Sequence, residues 1–173
     1  MLIVAFIFSF AAWILQGILL PKINILAFFP FISLFVMKSN LAKSLWISAL
    51  IGSLLDLFSD DPMGLHALNY VLAAIFLWKI RKAFDPENSL HLSLLTLIGS
   101  SLSTGLQMIL LFLFDRRIPF NGKWILTDLI GMPVIDAVYA FVWIAAPISL
   151  FKYLSRIWMV FWLKKHNPSP TSH

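Results

Sequence analysis

Five aspartates stand at the borders of apolar runs: Asp56 in "GSLLDLFS", Asp60 and Asp61 in "DDPMGLH", Asp128, and Asp136 in "PVIDAVYA". Two carboxylates that share one proton can act as an acid and base pair, provided they face each other at matched depth. Asp56 and Asp136 are the candidates for such an intramembrane aspartyl dyad. Neither sits in a GxGD pattern, their flanks carry no other conspicuous catalytic groups, and Arg116, Arg117 and Lys123 nearby would hold carboxylates ionised. His66 after Asp60 and Asp61 suggests a metal, but the spacing DDPMGLH matches no established ligand set. The chain has no phosphate-binding glycine loop, dinucleotide fingerprint or serine nucleophile elbow. The sequence therefore favours a protein that is not an enzyme and needs no cofactor or metal.

The alternative roles of these carboxylates depend on the elements that position them. The chain has 173 residues, of which 60% are hydrophobic and 12% charged, with a mean hydropathy of +0.89. Soluble domains carry about 25% charged residues, so the composition is that of an all-α integral membrane protein. It contains no cysteine, which excludes disulfides and thiol chemistry. Apolar runs at Leu2–Leu20, Ile23–Met37, Leu41–Phe58, Leu65–Trp78, Leu90–Phe114 and Pro133–Phe151 predict a compact bundle of about six transmembrane helices. The first run lacks a charged leader and a cleavage site, so it is expected to remain as a helix. The second is short and carries Pro30, so it is expected to be broken, tilted or re-entrant.

If all six runs cross, one side holds nine basic residues: Lys38, Lys43, Lys79, Arg81, Lys82, Lys152, Arg156, Lys164 and Lys165. The other holds four, Lys22, Arg116, Arg117 and Lys123. The positive-inside rule then places both termini in the cytoplasm. The net charge of +5 sets orientation and does not imply nucleic acid. Residues 1–165 read as one polytopic membrane domain, and 166–173, "NPSPTSH" after His166, as a disordered cytoplasmic tail. The longest outer segment, Asp115 to Met132, carries Trp124 at the interface.

In this topology the five aspartates gather at the outer level with Arg116 and Arg117. A carboxylate costs about 2.5–3.5 kcal/mol at a helix centre on insertion scales, and Asp56 and Asp136 are expected near the outer surface, paired with those bases. The other reading is that they line a pocket or a partner surface. Ser48, Gly52 and Asp56 recur at i, i+4 and i+8, a stripe on which another helix can approach closely. Gly99, Ser103 and Gln107 repeat the device on the fifth helix, beside Ser100, Thr104 and Gly105. At the inner face, Lys152, Arg156, Lys164 and Lys165 flank "IWMVFW" with Trp158 and Trp162. This is a basic and aromatic membrane-interface segment at 152–165, suited to anionic lipid or a cytoplasmic protein.

The order of features resembles the rod-shape-determining protein MreD family of bacteria. The resemblance is carried by the six-run pattern with a short second run, by Gly52 and Asp56 in "GSLLDLFS", and by the turn "DDPMGLHALNYVLAAIFLW" with Pro62, Gly64 and Tyr70. It implies a non-enzymatic scaffold subunit of the inner-membrane elongation machinery that builds lateral peptidoglycan and maintains rod shape. The partners it implies are an MreC-like periplasmic scaffold, a wall glycosyltransferase and transpeptidase, and an MreB-like filament. The family is also similar to the six-helix substrate-binding components of vitamin transporters, which leaves small-molecule binding as the second expectation.

Overall fold

The computed structural model describes residues 2–19, 26–59, 61–85, 88–113, 125–147, 149–150, 153–154 and 158. Among these the chain is all-helical, with six helices and no strand. They are α1 (Leu2–Leu19), α2 (Phe29–Lys38), α3 (Leu41–Asp56), α4 (Leu65–Ile80), α5 (Ser89–Leu113) and α6 (Leu126–Ala145). A single 3₁₀ turn, Arg81–Ala83, closes α4. Helices 1, 3, 4 and 5 end within two residues of the apolar runs, because each of these runs is followed within two residues by a proline or a charge.

Helix α5 has 25 residues and α6 has 20, and both are long and apolar enough to cross a membrane. At 1.5 Å per residue, the 16 residues of α3 and of α4 span about 24 Å, against about 30 Å of hydrocarbon. Helix α2, with 10 residues, spans about 15 Å. It is the centre of the bundle. Phe29 to Leu34 and Val36 are buried, and it packs against all five other helices, as a helix that is apolar all round must.

Two boundaries differ from the sequence expectation. Pro30 does not break α2 but starts it, lying in the first turn, where the missing N–H would have had no partner in any case. Pro133 was expected to open the sixth helix. It lies instead inside a longer one, because the wide-turn π segment Ile125–Gly131 continues the helix backwards from the α-helical Met132–Tyr139. Asp128 thus falls within the first turn of that segment, and Asp136 lies at mid-helix.

The outside is apolar and the core takes polar groups. Ser33, Ser44, Ser48, Asn69, Thr96, Ser100, Ser103 and both Asp56 and Asp136 are buried, whereas Ile3, Trp46, Leu50, Ile109, Phe112 and Val138 are exposed. Small hydroxyl side chains that let helices approach share the interior with Phe28, Phe29, Tyr70 and Leu77, and further large aliphatic and aromatic side chains cover the outside.

Candidate functional site

Helices α3 and α4 form an antiparallel hairpin, and its turn is organised around Asp56. The turn Pro62–Gly64 brings Leu65 N–H onto the Pro62 carbonyl at 3.1 Å, and Gly64 takes φ +92°, a conformation that favours glycine. The first N–H groups of a helix lack intrahelical partners. Here the carboxylate of Asp56, only 6% exposed, supplies them. Oδ2 accepts from Gly64 N–H at 3.1 Å and Ala67 N–H at 3.2 Å, and Oδ1 accepts from His66 N–H at 2.9 Å. The last turn of α3 thus caps the first turn of α4, where a negative charge also opposes the helix dipole. Among the described residues no lysine or arginine forms an ion pair with Asp56. The expected bases Arg116 and Arg117 lie outside the described residues, and the observed partners are backbone amides.

One turn back along the stripe, Gly52 lies against the start of α4. A Cβ there would stand 2.4 Å from Ala67 Cα and 2.6 Å from both Ala67 N and the His66 carbonyl oxygen. Only glycine admits that approach, and only that approach lets the Asp56 carboxylate reach the amides. Ser48 is buried further along the stripe, and its hydroxyl has no hydrogen-bond partner among the described residues. It contributes smallness to the stripe.

Asp136 does a second, separate task deeper in the bundle. It is 1% exposed. Its Oδ1 accepts from Leu26 N–H at 3.0 Å, and its Oδ2 accepts from the Ser100 hydroxyl. The Tyr139 hydroxyl donates to the Ala27 carbonyl at 3.4 Å. Helix α6 therefore holds the strand of chain leading into α2, while Ser100 ties it to the middle of α5. Asp136 sits at the middle of α6 and Asp56 at the hairpin turn, while Arg116 and Arg117, the other members expected of an outer-level cluster, lie outside the described residues. With their oxygens engaged by different partners, the two aspartates do not form a proton-sharing pair.

On α5, a Cβ at Gly99 would lie 2.4 Å from Phe29 Cε1 and 3.0 Å from Leu77 Cδ1, so this glycine seats α2 and α4 together. Ser103 accepts from Asn69 Nδ2 at 2.9 Å in the buried α4–α5 seam. Tyr70 is buried against Phe29 with ring centroids 5.5 Å apart at 78°. At the other end of the bundle, Arg81 donates through one guanidinium nitrogen to the carbonyls of Val36, at 2.7 Å, and Ser39, and stacks over Trp78 at 4.8 Å. It satisfies the last carbonyls of α2, a role the sequence reading gave only to orientation.

Beside the start of α2 lies a cavity of about 250 Å³. Its floor is Leu26, Ala27 and Phe28, and its walls include Trp13 and Gln16 of α1, Phe58 and Ser59 after α3, His66 and Tyr70 of α4, and Gln107 of α5. His66 Nε2 lies 3.2 Å from Ser59 Oγ and 3.4 Å from Asp61 Oδ2. A second, purely apolar groove of about 400 Å³ runs between α1, α2 and α3 past Phe6, Phe31 and Leu50. Of the basic and aromatic interface segment, Tyr153, Leu154 and Trp158 are among the described residues, and all three are exposed. Lys152, Arg156, Trp162, Lys164, Lys165 and the tail lie outside them, as do Lys123 and Trp124.

No family model matches the chain, and no curated protein or solved structure is significantly similar to it.

Proposed function

We propose that the chain is a multi-pass protein of the bacterial inner membrane that acts as a non-enzymatic scaffold subunit of the elongation machinery, holding partner helices of the lateral wall synthases. The observation that carries this reading is the apolar outside of the bundle around a core that also takes polar groups. Asp56, Asp136, the buried hydroxyls and the Asn69 amide face inward, the two carboxylates onto amides and a hydroxyl of the chain itself, while large aliphatic and aromatic side chains on every helix except α2 are exposed. An exposed apolar surface of that extent belongs in hydrocarbon or against other apolar helices. The residues that carry the resemblance to the MreD family, Gly52, Asp56, Gly64 and Tyr70, are also those that shape the α3–α4 hairpin and its packing on α2.

In this reading six runs cross or enter the bilayer, the short α2 is shielded on every side by its neighbours, and both termini are cytoplasmic. The partners are an MreC-like periplasmic scaffold, the glycosyltransferase and transpeptidase, an MreB-like filament reached directly or through them, and anionic lipid at the basic segment 152–165. Depleting the chain in its own bacterium is expected to round the cells and to stop incorporation of labelled wall precursor along the side wall. Rods that keep their width and side-wall labelling after depletion would refute it. The second reading, a substrate-binding subunit of a vitamin transporter, is favoured by the cavity beside the start of α2.

A further inference from the structure

From the cavity beside the start of α2 we infer a binding site for a single neutral sugar-like ring, a polyhydroxylated pyranose. This does not depend on whether the bundle serves synthases or a transporter. The site is lined by two kinds of group. One is a continuous aromatic corner: Trp13 touches Phe28, with ring centroids 6.0 Å apart, and meets Phe58 edge-on at 5.1 Å. The other is a set of polar groups from separate elements, with Gln16 on α1, Ser59 and Asp61 on the turn, His66 and Tyr70 on α4, and Gln107 on α5.

Three features select the ligand class. The polar groups come from four separate elements and mix donors with acceptors. Hydroxyls projecting around a ring can meet many of them, whereas the two or three edge atoms of a planar heterocycle would leave most unmet. The aromatic corner of Trp13, Phe28 and Phe58 suits the C–H face of a saturated ring, weakly positive and attracted to an aromatic π face. Finally, the Asp61 carboxylate and the His66 ring lie 3.4 Å apart, an acceptor beside a ring nitrogen that neighbouring hydroxyls of one ring can meet together. The volume admits one ring with its substituents, at the small end of known ligand pockets.

The test is saturation-transfer NMR on the purified full chain in lipid nanodiscs, with glucose and N-acetylglucosamine as probes and uracil as the planar comparison. Saturation is expected to reach the saccharides, most strongly at H1, H3 and H5 of the β-anomer, which are axial on the same face of the ring. Gln107→Leu removes a half-buried wall amide without adding bulk and should weaken binding about tenfold, as one lost hydrogen bond implies. Gly105→Ala, with no atom within 4 Å of the added Cβ, should leave binding unchanged, and melting curves confirm that both variants fold. No transfer to either saccharide, equal transfer in wild type and Gln107→Leu, or transfer to uracil alone would each overturn the inference.

Discussion

Adding one methyl group at Gly52 should unfold the α3–α4 hairpin from its turn. In Gly52→Ala the new Cβ would sit 2.4 Å from Ala67 Cα and 2.6 Å from Ala67 N, where carbon contacts settle near 3.5–4.0 Å. The obstructing atoms are backbone, so no rotamer change relieves them, and the helices must part by about 1 Å. That displacement carries the Gly64, His66 and Ala67 amides, now 2.9–3.2 Å from Asp56, out of hydrogen-bond range. Overpacking costs about 1–3 kcal/mol, and losing even one hydrogen bond to a charged acceptor adds about 1.5–3 kcal/mol. The expected loss is therefore about 3–5 kcal/mol by these figures, and Gly52→Leu should not fold. The assay is reversible unfolding by SDS in mixed micelles, with Gly105→Ala as the control, since its Cβ meets nothing within 4 Å and it replaces a helical glycine at a gain of up to about 1 kcal/mol. A Gly52→Ala protein as stable as wild type would refute the close approach and the capping that depends on it.

Asp56→Asn keeps the shape but surrenders charge and one acceptor, so it should lose about 2 kcal/mol in the same assay, and Asp56→Ala should lose more. Equal stability of all three would contradict the capping role. Gly99→Ala should cost less than Gly52→Ala, about 1–3 kcal/mol, because its neighbours Phe29 and Leu77 are side chains that can turn; the reverse order would be inconsistent with the packing described. Arg81→Lys should melt lower than wild type, since one ammonium replaces the guanidinium that serves two carbonyls and stacks on Trp78, and an unchanged melting temperature would remove Arg81 from the end of α2. Because the chain has no cysteine, single substitutions report topology cleanly. Met63→Cys, in the exposed hairpin turn, should react with an impermeant maleimide from outside intact cells and Ala83→Cys only after lysis, and the opposite pattern would invert the proposed orientation.

Much of the scaffold was legible in the sequence because hydropathy sets helix extent: four helices end within two residues of the apolar runs. The Ser48, Gly52, Asp56 stripe was legible for a related reason, since the i, i+4 spacing puts all three on one face whatever that face meets. The partners of the carboxylates were not. Capping rules look for an acceptor immediately before a helix, whereas Asp56 caps α4 from the end of the preceding helix, eight to eleven residues upstream. The mid-helix place of Asp136 was not legible because Pro133 reads as a helix start, and nothing in the local sequence announces a π-wound extension. Arg81 was counted only as a charge, since its contact with the carbonyls of α2 spans more than 40 residues. The cavity was not legible because hydropathy does not distinguish Leu26–Phe28, apolar but not helical, from the helix that starts at Phe29.

The central claim, that this bundle holds the helices of wall synthases, is tested most directly by affinity capture from gently solubilised membranes of its own bacterium, with every co-purifying protein identified and quantified. The expected catch is a single-span periplasmic scaffold together with a glycosyltransferase and transpeptidase, their yield falling in Gly52→Ala in proportion to the folded fraction. Recovery of an ATPase and transporter subunits in their place would contradict it.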